Sequence, residues 1–243
     1  MTAGNAKREQ VLIFIPTYND ESELSDIVSR INSLEISNRI LIVDDGSTSP
    51  INMEDLPSEV LRVRVSSNYG LGVATHIAID HARAFGYGII LRVDADGQHP
   101  IESIPDLVRK LIDEGLDAVV GERTNRDDGS GIRSILAKSI RTYISFVVRS
   151  MTAGKAPEDV NSGFMAIGAK AAERLSRTML DRYPEPQILT ILGRSNLRTG
   201  SLQVQQLPRK KGRSSIGWFD GMRIFYRFNV FALGELIQGR DKP

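Results

Sequence analysis

The hexapeptide Asp94-Ala95-Asp96-Gly97-Gln98-His99 concentrates more chemistry than any other stretch of the chain. Two carboxylates and a carboxamide at alternating positions past a strand end can converge on one point, and hard oxygen donors of that kind suit Mg²⁺ or Mn²⁺. Gly97 lets the backbone turn tightly there. The plainer reading is an Asp-Gly turn at a strand end, and on these six residues alone the two weigh equally.

The residues in front of the hexapeptide, Gly88 to Val93, form an apolar run that reads as a buried strand. Similar runs stand at Val11–Ile15, Ile40–Val43, Leu61–Val65 and Ala118–Val120. Between them, apolar residues fall at helical intervals in Glu23–Leu34, Val73–Phe85 and Ile104–Leu111. Alternating buried strands and crossover helices predict a mostly parallel α/β sheet, in which ligands bind beyond the carboxyl ends of the strands. Polar segments stand where that rule expects them: Pro16–Asp20, Asp44–Ser47, Ser66–Gly72 and Asp94–His99 come directly after the first four runs. A dinucleotide-binding site would need G-x-G-x-x-G after the first strand. Here the glycine pair, Gly70 and Gly72, comes after the third, with Thr75 at the last position, so a nicotinamide cofactor is not expected.

The composition, 243 residues with 41% hydrophobic and 25% charged, is that of an ordinary globular chain and suggests one large domain. Cysteine is absent and histidine occurs three times, which excludes disulfides and thiolate metal sites and disfavours a histidine cage. Residues 1–9 read as a short disordered tail without a signal peptide, and no apolar stretch reaches the length needed to cross a bilayer. The expected location is the cytoplasm, with peripheral contact at the inner face of the membrane. The net charge of +1 hides an asymmetry. Residues 1–122 hold 10 Lys and Arg against 20 Asp and Glu, while residues 123–243 hold 21 against 10. An acidic half suits a metal ion, and a basic half suits phosphates or anionic lipid. Nucleic acid is not an expected partner, since no recognition motif is present.

Taken together, Pro16-Thr17-Tyr18-Asn19-Asp20, Val43-Asp44-Asp45-Gly46-Ser47, Asn68-Tyr69-Gly70-Leu71-Gly72 and Asp94-Ala95-Asp96-Gly97-Gln98 closely resemble the motifs of the inverting family-2 glycosyltransferases of GT-A fold. The likeness continues through Val120–Arg123, Asp159–Phe164 and Arg209–Ser215, the set seen in transferases that act on polyprenyl phosphates. It covers roughly residues 10 to 216, so a GT-A domain over 10–215 with a C-terminal helical extension at 216–243 is expected. The fold it implies is a Rossmann-like, mostly parallel sheet flanked by helices, with amphipathic helices at the C-terminus.

The resemblance also implies roles. Pro16, Tyr18, Asp20, Val43 and Asp45 would hold the nucleoside of a GDP- or UDP-sugar, together with Asp94 and Ala95. Asp20 stands where the family usually has Glu, and Glu21 is adjacent, so either carboxylate is a candidate. Asp94, Asp96 and Gln98 would bind Mg²⁺ or Mn²⁺, Asp96 being catalytic in that sense, and Arg123 would add positive charge at the diphosphate. Arg133, Ser162, Arg209 and Arg213 would hold the acceptor and its phosphate.

Whether that acceptor is a polyprenyl phosphate or a hydroxyl of a lipid-linked glycan turns on Glu185. A hydroxyl needs a general base and an ionised phosphate does not. Glu185, between Pro184 and Pro186, is either that base or a solvated residue at a helix start, and the same Pro-Glu-Pro form resembles transferases of bacterial polysaccharide assembly. Two further segments bear on the acceptor. Ile132–Ser150 sets an apolar stripe beside Lys138, Arg141 and Arg149, and Ile216–Ile237 is rich in aromatics. Each either packs on the core or docks on a membrane. A catalytically silent binding module is the alternative to an enzyme, and the intact Asp94-Asp96-Gln98 set argues against it.

Overall fold

The odd and even residues of the first strand already divide the core in two. A computed structural model describes residues 10–124, 132–208 and 218–238, with side chains for all but 132–134, 218–220 and 238. In β1 (Val11–Thr17), Leu12 and Phe14 face one side of the sheet while Val11, Ile13 and Ile15 face the other. This alternation comes from the two-residue period of a strand, and burial on both faces explains why the sequence reads as an unbroken apolar run.

The first side is covered by α2 (Leu71–Phe85), α4 (Ile132–Met151), α5 (Ala169–Ser176), α6 (Glu185–Arg194) and α7 (Trp218–Gln238). The second is covered by α1 (Leu24–Asn32) and α3 (Ile104–Asp113), whose Leu24, Ile27, Val28 and Ile31 and Ile104, Leu107, Val108 and Leu111 recur at helical spacing. With β2 (Asn38–Asp44), β3 (Leu61–Arg64), β4 (Ile89–Arg92), β5 (Ala118–Arg123), β6 (Met165–Gly168) and β7 (Thr199–Val204), the described residues form a seven-stranded sheet of order β3-β2-β1-β4-β6-β5-β7. All pairs are parallel except those of β6, which runs antiparallel to β4 and β5.

That one reversal decides what meets at the rim. Arg92 at the end of β4 pairs with Met165 at the start of β6, and Val120 of β5 pairs with the same residue. The segment that precedes β6 therefore shares an edge with the segments that leave β4 and β5. The mostly parallel α/β sheet expected from the sequence is the observed one. The N-terminal tail reading concerns residues 1–9, which lie outside the described residues.

Candidate active site

Arg92 is the centre of the rim. Its guanidinium is almost buried, and it donates from Nε to Asp94 Oδ1 and from Nη1 to Glu185 Oε1, both at 2.7 Å. One planar fork thus joins a carboxylate two residues away to another ninety-three residues away. The space it fills exists because position 163 is glycine. A Cβ there would lie 2.6 Å from Arg92 Nη2 and 3.0 Å from Asp94 Oδ2. Beside Arg92, and against burial, Asp94 is held well below its ordinary value of 3.8, at about 2. Burial alone would lower the Arg92 pKa, but the two carboxylates raise it.

His99 completes the surroundings of Asp94. Its Nδ1 accepts the Asp94 backbone N–H at 3.0 Å, and its Nε2 lies 3.5 Å from Asp94 Oδ2. The accepting Nδ1 marks a neutral ring with the proton on Nε2, in keeping with burial, which lowers the His99 pKa. The ring packs on Phe164 with centroids 5.0 Å apart. Asp96 Oδ1 accepts the Gln98 backbone N–H at 3.1 Å, and the Gln98 carboxamide points toward the Leu207 carbonyl at 3.5 Å.

Arg123, at the end of β5, donates from Nε and Nη2 to the two oxygens of Asp159 at 2.7 and 2.9 Å, a bidentate pair that raises the Arg123 pKa. Asp159 is fixed in turn by its own loop, where Glu122 accepts the backbone N–H groups of Glu158 and Asp159. At the rim Asp94 and Glu185 are therefore paired with Arg92 and Asp159 with Arg123, while Asp96 stands two residues past Asp94 at the same loop end. Among the described residues no three His, Cys, Asp or Glu side chains form a ready cage. The donor set, two carboxylates at a loop end with Asp94 kept ionised, nonetheless fits Mg²⁺ or Mn²⁺, which usually take few protein ligands and complete their shell with phosphate oxygens and water.

A second part of the rim lies over β1 and β2. Asn19, whose φ of 51° is one that Asn tolerates, accepts from the Thr48 N–H through Oδ1 and donates its own N–H to Ser47 Oγ. The two loops so clamped enclose a pocket of about 220 Å³ lined by Thr17, Asn19, Asp20, Glu21, Ser47, Thr48, Ser49 and Ile51. Both acidic candidates, Asp20 and Glu21, face it.

Several residues expected to touch ligand are engaged elsewhere. Val43 is fully buried in the core, so only its backbone reaches the rim. Asp45 accepts the N–H groups of Tyr69 and Gly70 at 2.9 and 2.7 Å, and so shapes the loop after β3. Ser162, expected at the acceptor, is 1% exposed and spends its hydroxyl on the Gly121 carbonyl at 2.7 Å, so it supports the loop from below. The Gly70–Gly72 segment is closely packed. A Cβ on Gly72 would overlap the carbonyls of Leu180 and Asp181, and Arg182 reaches back to the Asn68 carbonyl and side chain. Pro16, Tyr18 and Ala95 stand at the rim, with the Tyr18 ring half-exposed. Arg209 and Arg213 lie outside the described residues, as does the side chain of Arg133. The sequence reading missed Arg92, and placed Asp159 and Gly163 in a family motif without giving either a role. A lone arginine inside an apolar strand was the available signal for the first.

A mostly parallel sheet whose rim carries both a polar pocket and an acidic cluster fits an enzyme acting on a phosphorylated nucleotide. The family is shown by comparison: residues 12–174 match the model of glycosyl transferase family 2, and the chain belongs to that family. Polyprenol monophosphomannose synthase of Mycolicibacterium smegmatis is 30% identical over 185 residues, 71% of this chain and 67% of that protein. Undecaprenyl-phosphate 4-deoxy-4-formamido-L-arabinose transferase of Salmonella choleraesuis is 32% identical over 90% of this chain and 66% of its own length. Among solved structures, glucosyl-3-phosphoglycerate synthase of Mycobacterium tuberculosis, in complex with Mn²⁺, UDP and phosphoglyceric acid, matches with a TM-score of 0.67 and 17% identity over 96% of this chain and 80% of that one.

Proposed function

We propose that this glycosyltransferase moves a sugar from a UDP- or GDP-sugar to a polyprenyl phosphate, with inversion at the anomeric carbon and with the help of Mg²⁺ or Mn²⁺. The nucleoside lies in the pocket over β1 and β2, against Asp20 and Glu21, and the diphosphate runs along the rim to Asp94 and Asp96. Those two carboxylates would hold the cation, which supplies Lewis-acid stabilisation of the departing nucleoside diphosphate. Arg123 adds fixed positive charge on the same side, its position set by Asp159. The acceptor oxygen attacks the anomeric carbon from the face opposite the diphosphate. The new C–O bond forms as the old one breaks, and the electron pair leaves with the nucleoside diphosphate.

The observation that carries the choice of acceptor is the Glu185–Arg92 ion pair at 2.7 Å. Arg92 already holds one oxygen of Glu185, and an ionised phosphate acceptor asks for no general base. The names of the two curated relatives support the same acceptor class. Such a lipid is held in a membrane, so the enzyme meets it as a peripheral protein at the inner face. No helix among the described residues is long and apolar enough to cross a bilayer.

The test is transfer from radiolabelled UDP- and GDP-sugars to a short polyprenyl phosphate with Mn²⁺. Glu185→Gln, which keeps an oxygen for Arg92, is expected to lower turnover less than about tenfold. A loss of roughly 10²–10⁴-fold, the usual weight of a general base, would move the proposal to a sugar hydroxyl.

A further inference from the structure

The outward face of α7 is apolar along its described length. Met222, Tyr226, Val230, Leu233 and Ile237 recur every three or four residues, which sets them on one stripe, and each is between 48% and 77% exposed. No charged residue interrupts it. The opposite face is already in use. Phe228 and Ala232 enter the core with Ile224 and Phe231 packed beside them. Arg194 donates to Glu235 Oε2 and to its carbonyl at 3.0 and 2.7 Å, Tyr143 donates to Asn229 Oδ1 at 2.6 Å, and Arg227 Nε donates to Asp181 Oδ2 at 2.6 Å. The helix is therefore pinned from its inner side, and the stripe is not waiting to fold inward. Alongside, α4 turns Ile135 and Phe146 outward in the same way.

Charge separates the occupants such a face could take. Arg223 borders the stripe with an exposed side chain, whereas Arg227 and Glu235 are already paired with Asp181 and Arg194. The stripe itself carries no carboxylate, so a second copy packed stripe to stripe would offer Arg223 no counter-charge. An anionic surface supplies one, and it also suits a half-chain with 21 basic against 10 acidic residues.

We propose that α7 docks in the interface of an anionic lipid bilayer, lying in its plane with Met222, Tyr226, Val230, Leu233 and Ile237 among the upper acyl groups and Arg223 at the headgroup phosphates. From Met222 to Ile237 the stripe runs about 22 Å at the rise of an α-helix. The proposal rests on the acceptor reading above and deepens it. The segment just before α6 is tied to α7 by the Arg227–Asp181 ion pair, and with Pro186 and Gln187 it lines one cavity with Ile224, Phe228 and Phe231, so the start of α6, where Glu185 stands, neighbours the docked helix.

Flotation with vesicles of phosphatidylcholine mixed with phosphatidylglycerol tests it. Wild-type protein is expected to float, Leu233→Glu and Arg223→Glu to lower the bound fraction at least about tenfold, and Phe85→Glu, at an equally exposed apolar residue on α2, to leave it unchanged. Melting temperatures equal to wild type show that the variants fold, and Arg223→Glu changes only an exposed side chain. Absence of flotation, equal flotation of the α7 variants, or a wild-type dimer that Leu233→Glu dissociates would overturn the proposal, the last in favour of a second copy. Transfer to a soluble short-chain polyprenyl phosphate without vesicles separates the two readings, since Leu233→Glu should leave it intact. Flotation without that transfer leaves docking standing and removes the acceptor, and transfer without flotation does the reverse.

Discussion

Replacing Arg92 by Met keeps the length of the side chain and removes the only bridge between Asp94 and Glu185 seen in the described residues. The Asp94 pKa, lowered from 3.8 to about 2, corresponds to about 2 kcal/mol of native stability at neutral pH. Because the folded value is the depressed one, this contribution is full above about pH 4 and is lost as the pH falls toward 2. Removing one partner of a buried pair usually costs about 3–5 kcal/mol, and here two carboxylates lose their cation at once. The expected deficit in urea unfolding is therefore about 3–5 kcal/mol at pH 7, shrinking as the pH is lowered through 3. Mn²⁺ should stabilise Arg92→Met more than wild type, since the cation then meets two carboxylates without a competing guanidinium. Arg92→Lys should recover only part of the loss, because an ammonium cannot span both partners. A deficit of equal size at pH 3 and pH 7, with no added response to Mn²⁺, would mean that Arg92 matters only for packing and would refute the argument.

Asp96→Ala should lower Mn²⁺-dependent affinity for nucleoside diphosphate at least about tenfold by calorimetry while leaving the melting temperature in place, since Asp96 stands partly exposed at a loop end. Gly72→Ala forces a methyl into the carbonyls of Leu180 and Asp181, so the urea midpoint should fall by the equivalent of about 1–3 kcal/mol.

All five apolar runs read from the sequence are strands, β1 to β5: burial on both faces makes apolar residues nearly continuous in β1, β2, β4 and β5, whereas the largely exposed β3 is marked by Leu61 and Val63 alternating with arginines. The short β6 was not legible, because Met-Ala-Ile-Gly has little of the β-branched character that marks a strand and takes its order from its neighbours. The half-exposed edge strand β7 and the short α5 were missed for similar reasons. At the site, Asp94 and Asp96 were found because they come after a strand. Asp159 and Gly163 had no structural role in the sequence pattern because they precede one, and the rule that ligands gather beyond carboxyl ends directs attention only downstream of a strand. Arg92 was hidden inside the run that defined its strand. Its bond to Glu185 joins residues far apart in the chain, which no local pattern can show.

The reversed strand also writes an order of assembly into the chain. The block β3-β2-β1-β4 draws on residues 11–92 alone, and the block β6-β5-β7 on residues 118–204. Within the sheet, only the short β4–β6 ladder stitches one to the other. During synthesis the nucleoside half can gather its strands while the ribosome is still making the rest. Arg92 and Asp94 emerge early, with Gly163 and Glu185 still to come. Only when that seam closes does Gly163 come beside Arg92 and Asp94, so a chain halted before β6 would keep the strands under the pocket without the partners of its charged centre.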